Sequence, residues 1–254
     1  CSSDLGIAYL QGYPSFIGKI NSDNFGKIYK KSLQDINVNF SYIEKNEEIP
    51  TGASIILITP DTERTMCTYL GISSNLSAND IIEDEVAIHE LVFLEGYLWD
   101  KGISEKMFKH VINIAKKNKI RIAMSLSDIF CVTRHKQDFY NLLKNDLDIL
   151  IGNEKEINEL TNKKNLLDSI NQLKEINKLI IITRSDKGSL AIQNNKVINC
   201  ESIRVDKVLD LTGAGDLFAA GFLKEYLDNS EIKQCLMSGS RIASKVIQKI
   251  GARL

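Results

Sequence analysis

The sequence is short of the residues that build metal or disulfide sites. Its five cysteines, at positions 1, 67, 131, 200 and 235, are odd in number and far apart, and no two form a CxxC pair. Its three histidines have no HExxH or other metal-binding spacing. We therefore expect unpaired thiols in a reducing compartment, the cytoplasm, and no zinc site.

The sequence also lacks the features of membrane and nucleic-acid-binding proteins. No apolar run approaches the ~20 residues that span a bilayer, and no charged-then-apolar leader opens the chain. Its 32 basic and 33 acidic residues leave a formal net charge of -1, which argues against a broad basic surface. We expect a small-molecule ligand, no nucleic acid and no membrane. The first residue is Cys1 rather than Met, so we also expect a truncated N-terminus.

What the chain does have is length and alternation. Its 254 residues suit one large α/β domain over 1–254. Beyond residue 89, short apolar runs alternate with helical periodicity, which predicts a mostly parallel sheet with helices on both faces. Ligands bind at the carboxyl ends of the strands in such sheets. The predicted strands are Leu91–Leu94, Ile120–Leu126, Leu147–Ile151, Leu179–Thr183, Leu190–Gln193 and Lys196–Ile198; the predicted helices are Ser104–Lys117, Arg134–Lys144, Glu154–Leu160, Leu166–Asn177, Gly213–Leu227 and Glu231–Ile250.

A smaller β region is predicted over about residues 39–74. Alternating and β-branched residues predict strands at Phe40–Ile43, Ser54–Thr59 and Thr65–Leu70. Thr51-Gly52 and Pro60-Asp61 supply turn residues between them.

The strongest motif is the glycine-rich stretch that opens the penultimate predicted helix. Gly213, Ala214 and Gly215 let the backbone pass close to a ligand, and the free N–H groups of a helix start bind anions. Asp216 would lie beside that anion, where a carboxylate can take the proton of an attacking hydroxyl. Gly221 would allow close packing of the helix against a neighbour. The alternative is an ordinary glycine-rich loop with nothing bound.

The run from Asp210 to Leu223 resembles the C-terminal signature of the ribokinase-like, or PfkB, family of carbohydrate and nucleoside kinases. It contains Asp-x-Thr-Gly-Ala-Gly-Asp followed by Phe, Ala-Gly and Phe. It is neither a Walker A loop nor a GxGxxG dinucleotide turn, which leaves little weight for a nicotinamide-dependent Rossmann enzyme. The resemblance implies Asp216 as the base and the amides of Gly213, Ala214 and Gly215 as the anion hole. It also implies that Asp210 and Thr212 border a monovalent cation site (K⁺), with Asp210 near the substrate.

Further stretches match the same family in the same order. Asn153-Glu154-Lys155-Glu156 resembles its Asn-x-x-Glu motif, which implies that Asn153 and Glu156 hold hydrated Mg²⁺ near the nucleotide; the alternative is a solvated helix N-terminus. The turn from Thr183 to Gly188 resembles the nucleotide-binding turn; the alternative is a plain hairpin connection with a solvated Arg184. The resemblance thus implies an ATP site bordered by Asn153, Thr183, Arg184, Ser185, Asp186, Gly188 and Ser240.

The acceptor side is less complete. Three stretches resemble the bacterial adenosine-kinase-like branch: Arg64–Gly71, Glu95-Gly96-Tyr97 and Asp128–Val132. The resemblance implies that Glu95 lies near the acceptor or the metal network, whereas we expect Tyr97 and Trp99 to be core aromatics. Ser2 stands where the family has a sugar-gripping Asn, the Gly-Gly before it is absent, and Leu211 replaces a usual Thr. Phe16–Ile20 resembles a family strand that feeds a helix at Asp23.

Together the resemblance implies a three-layer α/β/α sandwich with a small, partly missing β lid. The implied activity is ATP-dependent phosphotransfer to a hydroxyl of a sugar or nucleoside, with a homodimer formed through the lid strands. The alternative is a fragment that binds nucleotide but performs no chemistry.

Overall fold

The structure is a computed structural model that describes residues 2–40, 48–59, 64–100 and 104–254. The chain divides into two compact units: Cys1–Leu76 with Ile203–Leu254, and Ser77–Ser202. That the chain forms a single domain stays a prediction. None of the helices in the described ranges has both the length and the apolar character that a membrane crossing requires.

The unit 77–202 contains a six-stranded sheet in the order β3-β4-β5-β6-β7-β8. The strands from β3 to β6 are parallel, and β7 and β8 continue the sheet antiparallel. The predicted mostly parallel sheet is therefore confirmed. Its strands are β3 (Leu91–Glu95), β4 (Arg121–Ser125), β5 (Ile149–Asn153), β6 (Leu179–Thr183), β7 (Ser189–Gln193) and β8 (Lys196–Cys200).

Burial explains why these short runs form central strands. Ile149, Leu150, Ile180 and Ile181 are fully buried, so consecutive side chains on both faces of β5 and β6 avoid water. Such continuous apolar runs are typical of parallel strands that are covered on both faces. The helices of this unit are α3 (Glu83–Ala87), α4 (Ser104–Lys117), α5 (Ile129–Asn145), α6 (Glu154–Thr161) and α7 (Leu166–Leu173).

Helix α5 begins five residues before the predicted start at Arg134. Asp128 caps it, since its side chain accepts from the Phe130 amide. His135 has non-helical angles (φ -121°, ψ 22°), which kink the helix and shift its apolar face. The apolar periodicity is interrupted at this kink, so it indicated only the second part of the helix.

The other unit contains helices α1 (Ser2–Tyr9), α2 (Asn24–Gln34), α8 (Ala214–Leu227) and α9 (Ile232–Val246), and an antiparallel hairpin of β1 (Thr51–Ile58) and β2 (Arg64–Gly71). The hairpin confirms two of the three strands predicted in the 39–74 region. Thr51-Gly52 lies inside β1 rather than in a turn, so that prediction is wrong. Residues 41–43 and Pro60-Asp61 lie outside the described residues.

The predicted strand over Phe16–Ile20 is wrong. This stretch runs extended, but the bridge between Ser15 and Asn39 is isolated and no strand is built on it. The helix after it is confirmed, because the Asp23 side chain accepts from the Gly26 amide and caps α2.

Glycines bring α8 and α9 together. A Cβ on Gly221 would lie 2.8 Å from the Ser238 carbonyl oxygen and 2.9 Å from the Gly239 Cα. A Cβ on Gly239 would in turn lie 2.8 Å from the Phe218 carbonyl oxygen. The close packing expected at Gly221 is therefore present, and α9 is the neighbour.

Gly221→Ala should lower the free energy of unfolding by about 1–3 kcal/mol, because backbone atoms of α9 must move to admit the methyl group. Gly215→Ala is the matched control in the same helix, since a Cβ there meets nothing within 4 Å. Urea denaturation of both variants measures the difference. Equal stability of the two would contradict this account of the α8–α9 contact.

Candidate active site

The glycine-rich turn before α8 adopts a backbone that favours glycine. Gly213 is the residue that caps α8, with φ +78° and ψ 0° in the left-handed region. A Cβ there would lie 2.7 Å from the Ala252 Cβ and 3.4 Å from the Ser2 Oγ. The turn therefore packs between the first residue of α1 and the C-terminal segment.

The helix start leaves amides that an anion can use. Within the described residues, the Gly215 amide has no acceptor, and the space beside its Cα is open to 4 Å. The Ala214 amide instead donates to the Leu211 carbonyl oxygen at 3.2 Å. Of the three predicted anion donors, Ala214 would have to share or release this bond, so the geometry favours Gly213 and Gly215.

Asp216 lies in the first turn of α8 and is half-buried. Gly215 precedes it, so the carboxyl group and an exposed amide belong to the same helix turn. A carboxylate beside an anion-binding amide can accept a proton while the amide stabilises negative charge. This is the arrangement that hydroxyl phosphorylation requires.

Asp210 fastens this turn to the C-terminal segment. One carboxylate oxygen accepts from Thr212 N at 2.8 Å and from Thr212 Oγ1 at 2.6 Å, and the other accepts from Gly251 N at 2.8 Å. Burial acts to raise the pKa of Asp210, but these hydrogen bonds and the charge of Arg64 outweigh it, and the pKa lies below its ordinary value. Asp210 is thus an ionised, buried carboxylate with a structural role in this unit.

The same unit holds two other predicted residues. Ser2 is buried at the start of α1, and its Oγ lies close to Gly213. The structure therefore brings one predicted substrate residue to the predicted anion site. Ser240 is half-buried on α9.

The remaining predicted residues lie in unit 77–202, along one edge of the sheet. Glu95 ends β3 opposite Ser125 of β4, and Asn153 ends β5 opposite Thr183 of β6. Because these strands are parallel, their carboxyl ends lie at the same edge of the sheet. Ligands bind at this edge in sheets of this kind.

Asn153 and Glu156 form a reciprocal cap on α6. The Glu156 amide donates to Asn153 Oδ1 at 3.0 Å, and Asn153 donates to both Glu156 oxygens, from its N at 2.9 Å and its Nδ2 at 2.6 Å. Burial raises the pKa of Glu156 to about 7; the hydrogen bond from the Asn153 backbone opposes this, and the charge of Asp128 adds to it.

This pair fits a hydrated Mg²⁺ better than a bare one. In the described part of the chain, no three acidic, His or Cys side chains gather around a common metal position. Both Glu156 oxygens are already engaged with Asn153, so contact through metal-bound water suits the pair, and Mg²⁺ keeps several waters.

The turn after β6 is rigid and carries a paired arginine. Arg184 Nε lies 3.3 Å from Glu154 Oε2, so the guanidinium is tied to α6 rather than free in solvent. The Arg184 amide donates to the Gly188 carbonyl oxygen at 2.8 Å, and Ser202 Oγ donates to the Asp186 carbonyl oxygen at 2.6 Å. Gly188 has φ +82°, and a Cβ there would lie 2.2 Å from the Cys200 carbonyl oxygen.

The pfkB carbohydrate kinase family model matches residues 5–254. The chain belongs to the PfkB family. It is 24% identical over 250 residues to an uncharacterized sugar kinase of Archaeoglobus fulgidus, covering 98% of this chain and 97% of that one. Its family makes it a kinase, a phosphotransferase.

Solved structures agree with this assignment. Adenosine kinase from Sinorhizobium meliloti matches with a TM-score of 0.96 at 32% identity, over 100% of this chain and 78% of that chain. An E. coli protein assigned as a ribokinase II, solved with ATP and Mg²⁺, matches with a TM-score of 0.89 at 18% identity, over 99% and 82%. The fold is ribokinase-like α/β.

The aromatic residues of this PfkB kinase divide differently from the sequence prediction. Trp99 is buried as expected and meets Phe108 edge-on, with ring centroids 5.0 Å apart. Tyr97, also expected in the core, is 57% exposed, because the turn after β3 directs it outward. Phe130, for which the sequence predicted no role of its own, is 67% exposed at the start of α5.

The raised pKa of Glu156 predicts a pH-dependent stability. Between pH 4.5 and about 7 the folded state holds a proton that the unfolded state releases, so the free energy of unfolding falls as pH rises through this range. The free energy of unfolding of Glu156→Gln, relative to that of the parent, should be higher at pH 8 than at pH 5 by on the order of 2 kcal/mol, as measured by urea denaturation. Parallel pH profiles would contradict the buried, protonated acid.

Proposed function

We propose that this kinase transfers the terminal phosphoryl group of ATP to a hydroxyl of a nucleoside or sugar, with a nucleoside favoured. The observation that carries the proposal is the start of α8. There the Gly215 amide has no acceptor within the described residues, and Asp216 follows it in the same helix turn.

In the proposed reaction Asp216 accepts the proton of the acceptor hydroxyl as its oxygen attacks the terminal phosphorus. The new O–P bond forms as the bond to the bridging oxygen breaks, and ADP leaves with that electron pair. The amides of Gly213 and Gly215 hold non-bridging oxygens, where negative charge is greatest. Asn153 and Glu156 would hold Mg²⁺ through water, and the ion would neutralise phosphate charge there.

The nucleotide is proposed to lie along the turn after β6. Arg184 is suited to phosphate because Glu154 already orients its guanidinium. ATP would be bordered by Thr183, Ser185, Asp186 and Gly188, with Ser240 beside the adenine.

A K⁺ ion at Asp210 and Thr212 is a further proposal. The three hydrogen bonds on Asp210 leave part of the lone-pair capacity of its carboxylate for the ion.

Exposed aromatics favour a nucleoside as acceptor. Tyr97 lies on the turn that follows β3, and Phe130 lies in the first turn of α5, just after the turn that follows β4, at the same sheet edge as Glu95. These turns approach closely, since a Cβ on Gly96 would lie 2.7 Å from the Leu126 carbonyl oxygen. A planar base can stack on such rings, whereas a sugar alone has no comparable flat face. Glu95 and Ser2 would accept or donate to its hydroxyls, and the similarity to an adenosine kinase agrees with this choice.

The hairpin β1–β2 is proposed as a lid that also joins two copies of the chain. Ile55, Leu57 and Tyr69 are more than half exposed on it, and an isolated two-stranded hairpin is marginal in water. Sedimentation velocity measures the predicted homodimer.

We further propose that the protein works in the cytoplasm, where ATP is available and its thiols stay reduced; cell fractionation tests this.

Asp216→Asn should lower kcat by about 10²–10⁴-fold, because the amide cannot accept the hydroxyl proton, while the KM for ATP changes little. Asp228→Asn is the control, an acid at the other end of α8 that pairs with Lys224 on the surface. Steady-state assays of phosphorylated product compare the two. Full turnover by Asp216→Asn would exclude it as the base.

Phe130→Ala should raise the KM for adenosine by about 10-fold and leave the KM for ribose unchanged, since only the nucleoside offers a base to stack. Leu167→Ala is the control, because Leu167 is equally exposed at 67% and lies on α7. Equal effects of Phe130→Ala on both acceptors would contradict the stacking role.

A further inference from the structure

The base of the hairpin β1–β2 is buried, whereas its strands are exposed. Thr51, which begins β1, is 7% exposed, and Ile72, directly after β2, is fully buried. Farther along the hairpin, Ile55 is 68% exposed and Leu57 is 55% exposed. The direction of the exposed strands is therefore determined where they join the unit.

At that base one carboxylate joins two elements. Asp23 Oδ1 accepts from the Gly26 amide at 2.8 Å, which caps α2, and Oδ2 accepts from the Thr51 amide at 2.8 Å, which fixes the first residue of β1. These backbone donors hold the pKa of Asp23 below its ordinary value, so both oxygens remain acceptors.

Neighbouring bonds tie the same point from other directions. The Asn21 amide donates to Thr51 Oγ1 at 2.9 Å, and Asn21 Nδ2 donates to the Ile49 carbonyl oxygen at 2.8 Å. A Cβ on Gly26 would lie 1.8 Å from the Asn21 carbonyl oxygen and 3.0 Å from Thr51 Oγ1. The Asn21 carbonyl oxygen thus leaves room only for glycine at position 26, and the first turn of α2 also comes into close contact with Thr51 at the hairpin base.

The second strand is attached to the same place. The Ile72 amide donates to the Pro50 carbonyl oxygen at 2.9 Å. Gly71 has φ +54°, and a Cβ on it would lie 2.3 Å from that oxygen. Both ends of the hairpin therefore meet at Pro50 and Thr51, and Asp23 connects this junction to α2.

Small errors at this junction are amplified along the strands. A strand of eight residues extends about 25 Å. A rotation of roughly 10° at the base would therefore displace the far end of β1, at Ile58, by roughly 4 Å, by the same strand geometry. A displacement of this size would break side-chain contacts with a bound acceptor, which need heavy atoms within about 4.5 Å of each other.

We propose that Asp23 is a positioning residue for acceptor binding, because it holds the base of the hairpin against α2 and so sets the direction in which the hairpin covers the acceptor. The inference rests on the proposed function, in which the hairpin is the lid. It adds a residue that touches neither ATP nor acceptor.

Asp23→Ser separates the two bonds of the carboxylate. Serine caps helices well, so α2 keeps an acceptor for the Gly26 amide. The serine side chain has a single short hydroxyl, which cannot also accept from the Thr51 amide. Asp23→Asn is a second variant of the original size, whose Nδ2 cannot accept from the Thr51 amide. Asn165→Ser is the matched control, since Asn165 caps α7 through the Asp168 amide and lies in the other unit.

Two measurements decide the proposal. Hydrogen exchange followed by mass spectrometry should show faster exchange in 51–58 and 64–71 in both Asp23 variants, with α2 unchanged. Steady-state kinetics should show the KM for the acceptor raised about 10-fold, with the KM for ATP and kcat changed less than about 3-fold, as loss of one charged hydrogen bond predicts. Asn165→Ser should leave the exchange of the hairpin and of α2, both KM values and kcat unaltered.

The outcomes are distinguishable. An active parent whose Asp23→Ser variant keeps its acceptor KM overturns this inference alone, as does unchanged exchange in the hairpin. A fall in both kcat and melting temperature would indicate that Asp23 only stabilises the fold as a helix cap, and this result would also overturn the inference. A parent that phosphorylates no acceptor overturns the proposed function, and this inference with it.

Discussion

The left-handed turn at Gly213 is the constraint on which the proposed chemistry depends. It starts α8 so that the Gly215 amide has no acceptor within the described residues and Asp216 falls in the first turn. Asp210 maintains this turn by bonding both Thr212 and Gly251, which presses the C-terminal segment against Gly213. A buried carboxylate with three donors is stable as an anion, so the turn needs no ligand to hold its shape.

The second group of proposed site residues depends on a different element, the carboxyl edge of the parallel strands. There each side chain is held by a neighbour in its own unit: Glu156 by Asn153, and Arg184 by Glu154. Side chains that are already oriented lose less entropy when a nucleotide arrives, which favours transfer over loose binding. Burial of Glu156 also means that its charge depends on what binds nearby, since a cation would favour the ionised form.

Much of the fold and of the candidate site could be predicted from the sequence. The strand β6 and the helix α4 have the predicted bounds, because long apolar periodicity and continuous apolar runs are strong signals. Helix α1 was not predicted, since it is short and is fixed by contact with α8, where a Cβ on Gly6 would lie 2.6 Å from the Ala220 Cβ. The kink at His135 was likewise not predicted.

Contacts between side chains were hardest to foresee. The pattern Asn153-x-x-Glu156 is also a capping-box pattern, so its reciprocal bonds could have been read directly. The Arg184–Glu154 pair and the Ala214–Leu211 bond join residues whose distance depends on the folded backbone, and sequence spacing carries no signal for them. The outward direction of the Tyr97 side chain also depends on the folded backbone, so the sequence carried no signal for it.

The central claim is that this chain joins a phosphoryl group from ATP to an alcohol. Mass spectrometry of the chain incubated with ATP, Mg²⁺ and separate nucleosides and sugars tests it most directly. The account predicts equal amounts of ADP and of one phosphorylated acceptor, with adenosine among the acceptors used. Tight binding of ATP with no phosphorylated product from any nucleoside or sugar would contradict it.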